Sequence, residues 1–172
     1  MAGTLQIRPV EPEEYEEAGR VTALAYQEFA RPDRPGWIDY FRRIGDIAAR
    51  ASRMPVLIAL LDGQIVGSST IELDEHIEPE RWDRPPAPDE AHLRMIGVHP
   101  DHRRDGIGRA LMEASIELAA RHGRTRITWE TTEVMHAAQR MYESMGFKAR
   151  GRRQFQPGLV FIDYELRLDR RP

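Results

Sequence analysis

The stretch Arg103-Arg104-Asp105-Gly106-Ile107-Gly108 constrains this chain more than any other, because of what stands on either side of it. Before it, Leu93-Arg94-Met95-Ile96-Gly97-Val98 reads as a strand closed by His99-Pro100. After it, Ile107, Leu111, Ala114 and Leu118 fall on one face of a helix that Gly123 stops. A strand, a glycine turn and a helix N-terminus together make an anion site. The first-turn N–H groups have no partner inside the helix, and the helix dipole adds positive potential. Gly106 and Gly108 carry no Cβ and let a phosphate approach the backbone, while Arg103, Arg104 and Arg109 add charge around the turn. Two familiar phosphate loops do not fit. Leu111 stands where the Rossmann pattern needs a third small residue, and Arg109-Ala110 follow Gly108 where a P-loop needs Lys and Ser or Thr.

What remains, Arg-x-x-Gly-x-Gly after a strand ending Val-x-Pro, resembles the pyrophosphate loop of the GCN5-related N-acetyltransferases (GNAT), which bind acetyl-CoA. A second segment strengthens the resemblance. Ala138-Gln139-Arg140-Met141-Tyr142-Glu143-Ser144-Met145-Gly146-Phe147 is similar to the family's Ala-x-x-Leu-Tyr-Glu-x-x-Gly-Phe signature, one helix and one strand downstream of the first. The stretch from Glu130 to Phe147, with Met135 and Ala137-Ala138, resembles a common bacterial branch of the family. Ile7-Arg8-Pro9 is similar to the family's opening strand, and Val160 to Leu168 to its closing one.

Composition is that of one compact enzyme-sized domain spanning residues 1–172, with 41% hydrophobic residues to build a core. A formal charge of -3, from 25 basic and 28 acidic residues, gives no overall electrostatic case for nucleic acid. No apolar run approaches the roughly 20 residues of a membrane span, and Met1 to Val10 is no signal peptide, so a cytoplasmic location is expected. Cysteine is absent, which removes disulfides, thiolate zinc sites and a cysteine acyl-enzyme.

The punctuation gives the order of elements. Leu5 to Val10 reads as a strand, Pro12 to about Phe29 as an amphipathic helix, and Trp37 to Arg50 as a second helix after the break at Arg31–Gly36. Val56 to Leu61 and Gln64 to Leu73 form a hairpin across Asp62-Gly63, a strong two-residue turn. Asp74 to Glu90 is an acidic, proline-rich loop. Leu93 to Val98 is the central strand, Gly106 to His122 its following helix, and Arg126 to Thr131 the next strand. His136 to Met145 is a helix with Gly146 just past its end. Lys148 to Gln154 and Val160 to Leu168 make a last hairpin around Pro157-Gly158. The acetyltransferase fold has this order. The resemblance implies an α/β (α+β) fold, with a mixed, mostly antiparallel sheet of about seven strands and about four helices.

Acyl transfer needs a neutral amine, a donor for the oxyanion and a proton for the leaving thiolate. The resemblance assigns backbone groups of Ile96, Gly97 and Val98 to the pantetheine arm, with the Val98 or Gly97 N–H as oxyanion donor. It assigns the turn from Arg103 through Arg104, Asp105, Gly106, Ile107 and Gly108 to Arg109 to the pyrophosphate. Tyr142 corresponds to the family's usual general acid, and a phenol with pKa near 10 suits donation to a thiolate. For the base, the related branch often has a glutamate where this chain has His92, whose imidazole suits proton acceptance at neutral pH. Glu130 and Glu72 are the alternatives, and an amine that loses its proton to water is another.

Two positions depart from the family. Asp105 stands where a basic or small residue is usual, and its carboxylate is expected to point to solvent. Met135 stands where many members carry asparagine. His99 and His102 flank Pro100-Asp101 but lack further metal ligands in sequence, so no metal is expected. Trp37, Tyr40, Phe41 and Trp82 are candidates for an acceptor pocket, with core packing favoured for Phe41, and the acidic loop suits cationic amines. The expectation is an acetyl-CoA-dependent N-acetyltransferase acting through a ternary complex. Its acceptor is a primary amine of a small molecule or of a protein, with the small molecule the first expectation. No nucleic-acid or membrane partner is expected, and a homodimer stays open. The rivals are a non-catalytic acyl-CoA sensor and a nucleotide-binding regulatory domain.

Overall fold

A computed structural model describes residues 3–30, 36–73, 86–156 and 158–169, without the side chains of Trp37, Phe155 and Gln156. Trp82, most of the acidic loop, most of the Arg31–Gly36 break and Pro157 lie outside the described residues.

Among the described residues, seven strands, β1 (Leu5–Pro9), β2 (Val56–Leu61), β3 (Gln64–Glu72), β4 (Glu90–Val98), β5 (Arg126–Thr132), β6 (Lys148–Gln156) and β7 (Leu159–Arg167), join in the order β1-β2-β3-β4-β5-β7-β6. The β4–β5 pair is parallel, and the pairs β1–β2, β2–β3, β5–β7 and β6–β7 are antiparallel. The helices are α1 (Tyr15–Tyr26), α2 (Trp37–Gly45), α3 (Ile47–Ala51), α4 (Ile107–Arg121) and α5 (His136–Ser144). Among the described residues, no helix is long and apolar enough to cross a membrane.

Among the described residues five helices appear where about four were expected, because the Trp37–Arg50 segment breaks at Asp46. Asp46 leaves the helical region at ψ 79°, and its carboxylate accepts the Ala49 N–H at 2.9 Å. It thereby ends α2 and caps α3. The first helix is also shorter than its pattern, with 3-10 turns at Pro12–Glu14 and Gln27–Phe29 at its two ends. At its start Glu14 accepts the Glu11 N–H at 2.9 Å and pairs with Arg8 at 2.7 Å. The central strand begins earlier than expected, since Glu90 belongs to β4 rather than to the loop before it.

The chain divides into two compact units. One comprises Met1–Ile71 and Met95–Ser115, the other Glu72–Arg94 and Ile116–Pro172, so β4 and α4 each contribute to both. In the first unit, Ala18, Ile47, Val56, Ile58 and Leu60 form a core cluster that Val10, Tyr15, Ala51 and Ile65 extend. The β2–β3 hairpin turns through Asp62 at φ +50° and Gly63 at φ +82°. Both residues are left-handed, as the tight hairpin turn requires. Helices α1 and α2 meet backbone to backbone, for a Cβ on Gly19 would lie 2.1 Å from the Gly45 carbonyl oxygen. Buried hydroxyls are paired, Thr22 with Ser68 at 2.6 Å and Ser69 with Ser115 at 3.1 Å.

In the second unit β5 and the second half of β7 alternate. Ile127 and Trp129 of β5 and Ile162, Tyr164 and Leu166 of β7 are buried. Their neighbours Arg126, Thr128, Glu130, Asp163 and Glu165 are partly exposed and carry a polar network on the other face. Tyr142 of α5 sits on the apolar face. Gly146, at φ +95°, lets the chain leave that helix, and the Phe147 N–H returns to the Tyr142 carbonyl at 3.1 Å.

Candidate active site

The glycine turn lies wholly in the first unit. After Val98, the His99 N–H bonds the Val66 carbonyl at 2.8 Å, and Pro100–His102 makes a 3-10 turn. His99 Nδ1 accepts the Asp101 N–H at 3.3 Å, which makes this histidine a turn cap. Among the described residues no cluster of three or more His, Asp or Glu is placed to hold a metal. Arg104 then takes a left-handed backbone at φ +70° and Gly106 another at φ +80°, and α4 starts at Ile107. No atom lies within 4 Å of where a Cβ on Gly106 would stand. Arg104, Asp105 and Gly106 are exposed, and Gly108 is half-buried in the first helical turn. Such a concavity of N–H groups at the start of a 15-residue helix fits a pyrophosphate.

The three arginines differ. Arg103 turns back to α1, donating to the Ala25 carbonyl at 3.0 Å and pairing with Glu28 at 2.5 Å. Arg109 reaches Glu113 at 3.8 Å, one helical turn on. Arg104 stands exposed beside the glycines.

Of the strand residues before the turn, Gly97 has a packing reason to be glycine. A Cβ there would lie 2.9 Å from that of Ala25 and 3.4 Å from the Tyr26 ring. Ile96 is engaged at its backbone, since the Tyr26 hydroxyl donates to its carbonyl at 2.9 Å and lies 3.4 Å from its N–H. Burial raises the pKa of this phenol well above its ordinary value, so it stays a donor at any physiological pH. Sequence reasoning missed Tyr26, whose position on the last turn of an amphipathic helix gives no hint of a polar task. The β4–β5 ladder pairs Glu90 to Leu93 with Arg126 to Trp129 and ends there.

Tyr142, His92, Glu130 and Glu72 belong to the second unit. Tyr142 is 1% exposed. Its ring meets Trp129, Phe147 and Tyr164 edge-on at 5.4, 5.9 and 6.0 Å. Met135 accepts a hydrogen bond from the Thr131 hydroxyl at 3.5 Å, and the Gln139 amide donates to the Thr132 and Glu133 carbonyls at 3.0 Å each. These contacts fix the turn into α5.

The three candidate bases are placed very differently. Glu72 is fully buried and accepts from Arg94 Nε at 2.6 Å. Glu130 pairs with Arg153 at 2.5 Å, and Arg153 also reaches Asp163 at 3.4 Å. Both carboxylates are thus taken up by guanidinium groups. His92 bonds a hydroxyl, with Nδ1 2.7 Å from Thr128 Oγ1. It is half-buried in the polar network.

The sequence matches the acetyltransferase (GNAT) family over residues 13–147. A ribosomal protein bS18-alanine N-acetyltransferase of Escherichia coli is 41% identical over 70 residues, which cover 40% of this chain and 47% of that protein. The probable N-acetyltransferase camello of Xenopus tropicalis is 28% identical over 140 residues, covering 73% of this chain and 59% of that protein. The chain thus matches between 26% and 59% of the length of the first curated relatives. Solved structures at 21% identity share the fold. The Salmonella typhimurium protein yncA, solved with its cofactor acetyl-CoA, superposes with a TM-score of 0.70 over 97% of this chain and 95% of that one. The S18-alanine N-acetyltransferase of Escherichia coli does so with 0.71 over 98% and 97%. With the glycine turn, the Tyr142 segment and the strand order all agreeing, the chain belongs to the acetyltransferase (GNAT) family.

Proposed function

We propose that this single domain transfers the acetyl group of acetyl-CoA directly to a primary amine in the cytoplasm. The observation that carries the reading is the turn in which Arg104 and Gly106 are both left-handed and deliver the chain to the N-terminus of α4. That arrangement fits a pyrophosphate through the backbone of Gly106, Ile107, Gly108 and Arg109. Arg104 adds charge, Asp105 stays toward solvent, and Arg103 braces the turn against α1.

Bound acetyl-CoA supplies an acetyl group activated as a thioester. The backbone of Ile96, Gly97 and Val98 aligns the pantetheine arm, with the Val98 or Gly97 N–H donating to the oxyanion. His92 accepts the proton of the acceptor amine, and Tyr142 donates one toward the sulfur. Neither role calls for a covalent enzyme intermediate.

A small-molecule amine is the first acceptor class. A protein amine is the second, favoured by the 41% identity over 70 residues to a bS18-alanine acetyltransferase. The test is thiol release from acetyl-CoA with a panel of small amines and a peptide with an N-terminal alanine. The chain has no cysteine, so it contributes no thiol signal of its own. Thiol release with any of these amines supports transfer. Saturable binding of acetyl-CoA without thiol release overturns the enzyme in favour of a sensor.

A further inference from the structure

The bond between His92 and Thr128 continues. Thr128 Oγ1 lies 2.6 Å from Glu90 Oε1, to which it donates. Glu90 is 1% exposed, and its other oxygen accepts from Arg126 Nη2 at 3.0 Å and from the Ala87 N–H at 3.2 Å. Arg126 is itself held by Asp89 at 3.0 Å and Glu165 at 3.4 Å. The strand register accounts for the line-up. His92 lies opposite Thr128 and Glu90 opposite Arg126, and β-alternation puts all four on the polar face of the second unit.

The geometry points to where the protons sit. Glu90 takes two N–H bonds on one oxygen, one of them from the Arg126 guanidinium, whose positive charge favours the carboxylate form, and a carboxylate can only accept. Thr128 has a single hydroxyl proton and gives it to Glu90. Toward His92 Thr128 can therefore only accept, so Nδ1 of His92 carries the hydrogen. The basic lone pair of the neutral imidazole is then on Nε2.

We propose that Glu90 and Thr128 are positioning residues that hold His92 in the tautomer whose Nε2 accepts the proton of the acceptor amine. The inference rests on the acetyl-transfer reading and extends it. As the amine nitrogen bonds the acetyl carbonyl carbon and the carbon–sulfur bond breaks, one proton passes from nitrogen to His92 Nε2. It later leaves to solvent, and the departing thiolate takes a proton from Tyr142, which solvent restores. The Nδ1 hydrogen never moves. The imidazolium formed on the way is stabilised through Thr128 by the charge on Glu90, as an orienting carboxylate stabilises a catalytic histidine elsewhere. Among the described residues, other charged groups on this face are paired, Arg94 with Glu72, and Arg153 with Glu130 and Asp163.

The test has two arms on the intact protein. Nitrogen-15 NMR of the imidazoles, with His92 assigned by His92→Gln, reads the tautomer without any turnover. The expected result is hydrogen on Nδ1 in the wild type and in Thr128→Ser. In Thr128→Val hydrogen moves to Nε2, the form a free imidazole favours. In the kinetic arm, Thr128→Val lowers kcat by about tenfold or more and moves the rising limb of the pH profile, with KM for acetyl-CoA unchanged, while Thr128→Ser restores both. Hydrogen on Nε2 in the wild type overturns the relay even in an active enzyme. An unchanged kcat and pH limb in a folded Thr128→Val variant overturns it as well. Absence of thiol release with every amine instead overturns the acetyl-transfer reading, and the catalytic use of the relay with it, whatever the NMR arm shows.

Discussion

The two ends of β4 present different things. At its C-terminal end the strand runs into Arg104 and Gly106, and what it presents is backbone, namely N–H groups at a helix start. At its N-terminal end, Glu90 and His92 offer side chains, joined through Thr128 on the neighbouring strand. A backbone site depends on φ angles and on room for the ligand. A side-chain relay depends on register and on the exact chemistry of each member. The first should fail through bulk or charge at a glycine, the second through loss of a single oxygen or nitrogen.

The largest effect is expected at the backbone end. Acetyl-CoA at a hundredfold excess over its Kd should stabilise the protein by about 2.7 kcal/mol, read as a rise in Tm. Gly108→Asp should abolish the rise by placing a side chain and a negative charge in the first turn of α4. An undiminished rise in a folded Gly108→Asp protein would refute the assignment of the turn. Arg103→Ala should weaken binding less, because Arg103 already serves Ala25 and Glu28.

At the side-chain end, His92→Ala should lower turnover by about a hundredfold or more and remove the rising limb near the pKa of a histidine. His92→Glu should recover part of the rate with that limb at lower pH, since a carboxylate titrates lower. A limb that survives in His92→Ala belongs to Glu130, Glu72 or the substrate amine. Tyr142→Phe should come next, with turnover down by about a hundredfold and acetyl-CoA affinity retained. The phenyl ring keeps its contacts with Trp129, Phe147 and Tyr164. Activity within a factor of about two would make Tyr142 a packing residue only.

The smallest effect concerns the outer end of the relay. The side-chain bond from Arg126 lowers the pKa of Asp89 below the ordinary aspartate value. A depressed carboxylate contributes stability that is present above its unfolded pKa and lost as pH falls through the lower native one. Asp89→Asn should therefore cost a little stability at neutral pH and nothing in strong acid, as urea unfolding at two pH values would show. An equal loss at both would mean that the charge on Asp89 is immaterial.

The contrast between the two ends also explains what was legible beforehand. The glycine turn, the Asp62-Gly63 hairpin and the Gly146 helix stop are local, and each appears where the residues demanded it. His92 was legible as a titratable group near the start of β4, but not its partner. Thr128 and Glu90 meet it only through the β4–β5 register, which is decided by the sheet as a whole. Glu90 was also hidden at the edge of an acidic, proline-rich stretch that reads as loop. The break at Asp46 was missed because Ile44 and Ile47 continue the helical spacing of apolar residues across it. The burial of Tyr142 is not legible on its own helix, because it comes from β5, β7 and Phe147.

The Tyr26 hydroxyl, bonded at the Ile96 carbonyl and close to its N–H, serves in place of a neighbouring strand. An amide that comes to that edge trades places with an existing partner, so its hydrogen bonds there yield little net affinity. The exchange is felt elsewhere. Ala25 is the next residue back, and its carbonyl is held by Arg103 from the turn after β4. The last turn of α1 is thus fastened at adjacent residues to the strand and to the loop that follows it. Freed from Ile96, Tyr26 would leave that turn with one fastening instead of two. Solvent exchange at the amides of the Gln27–Phe29 turn would then report what happens at the edge of β4.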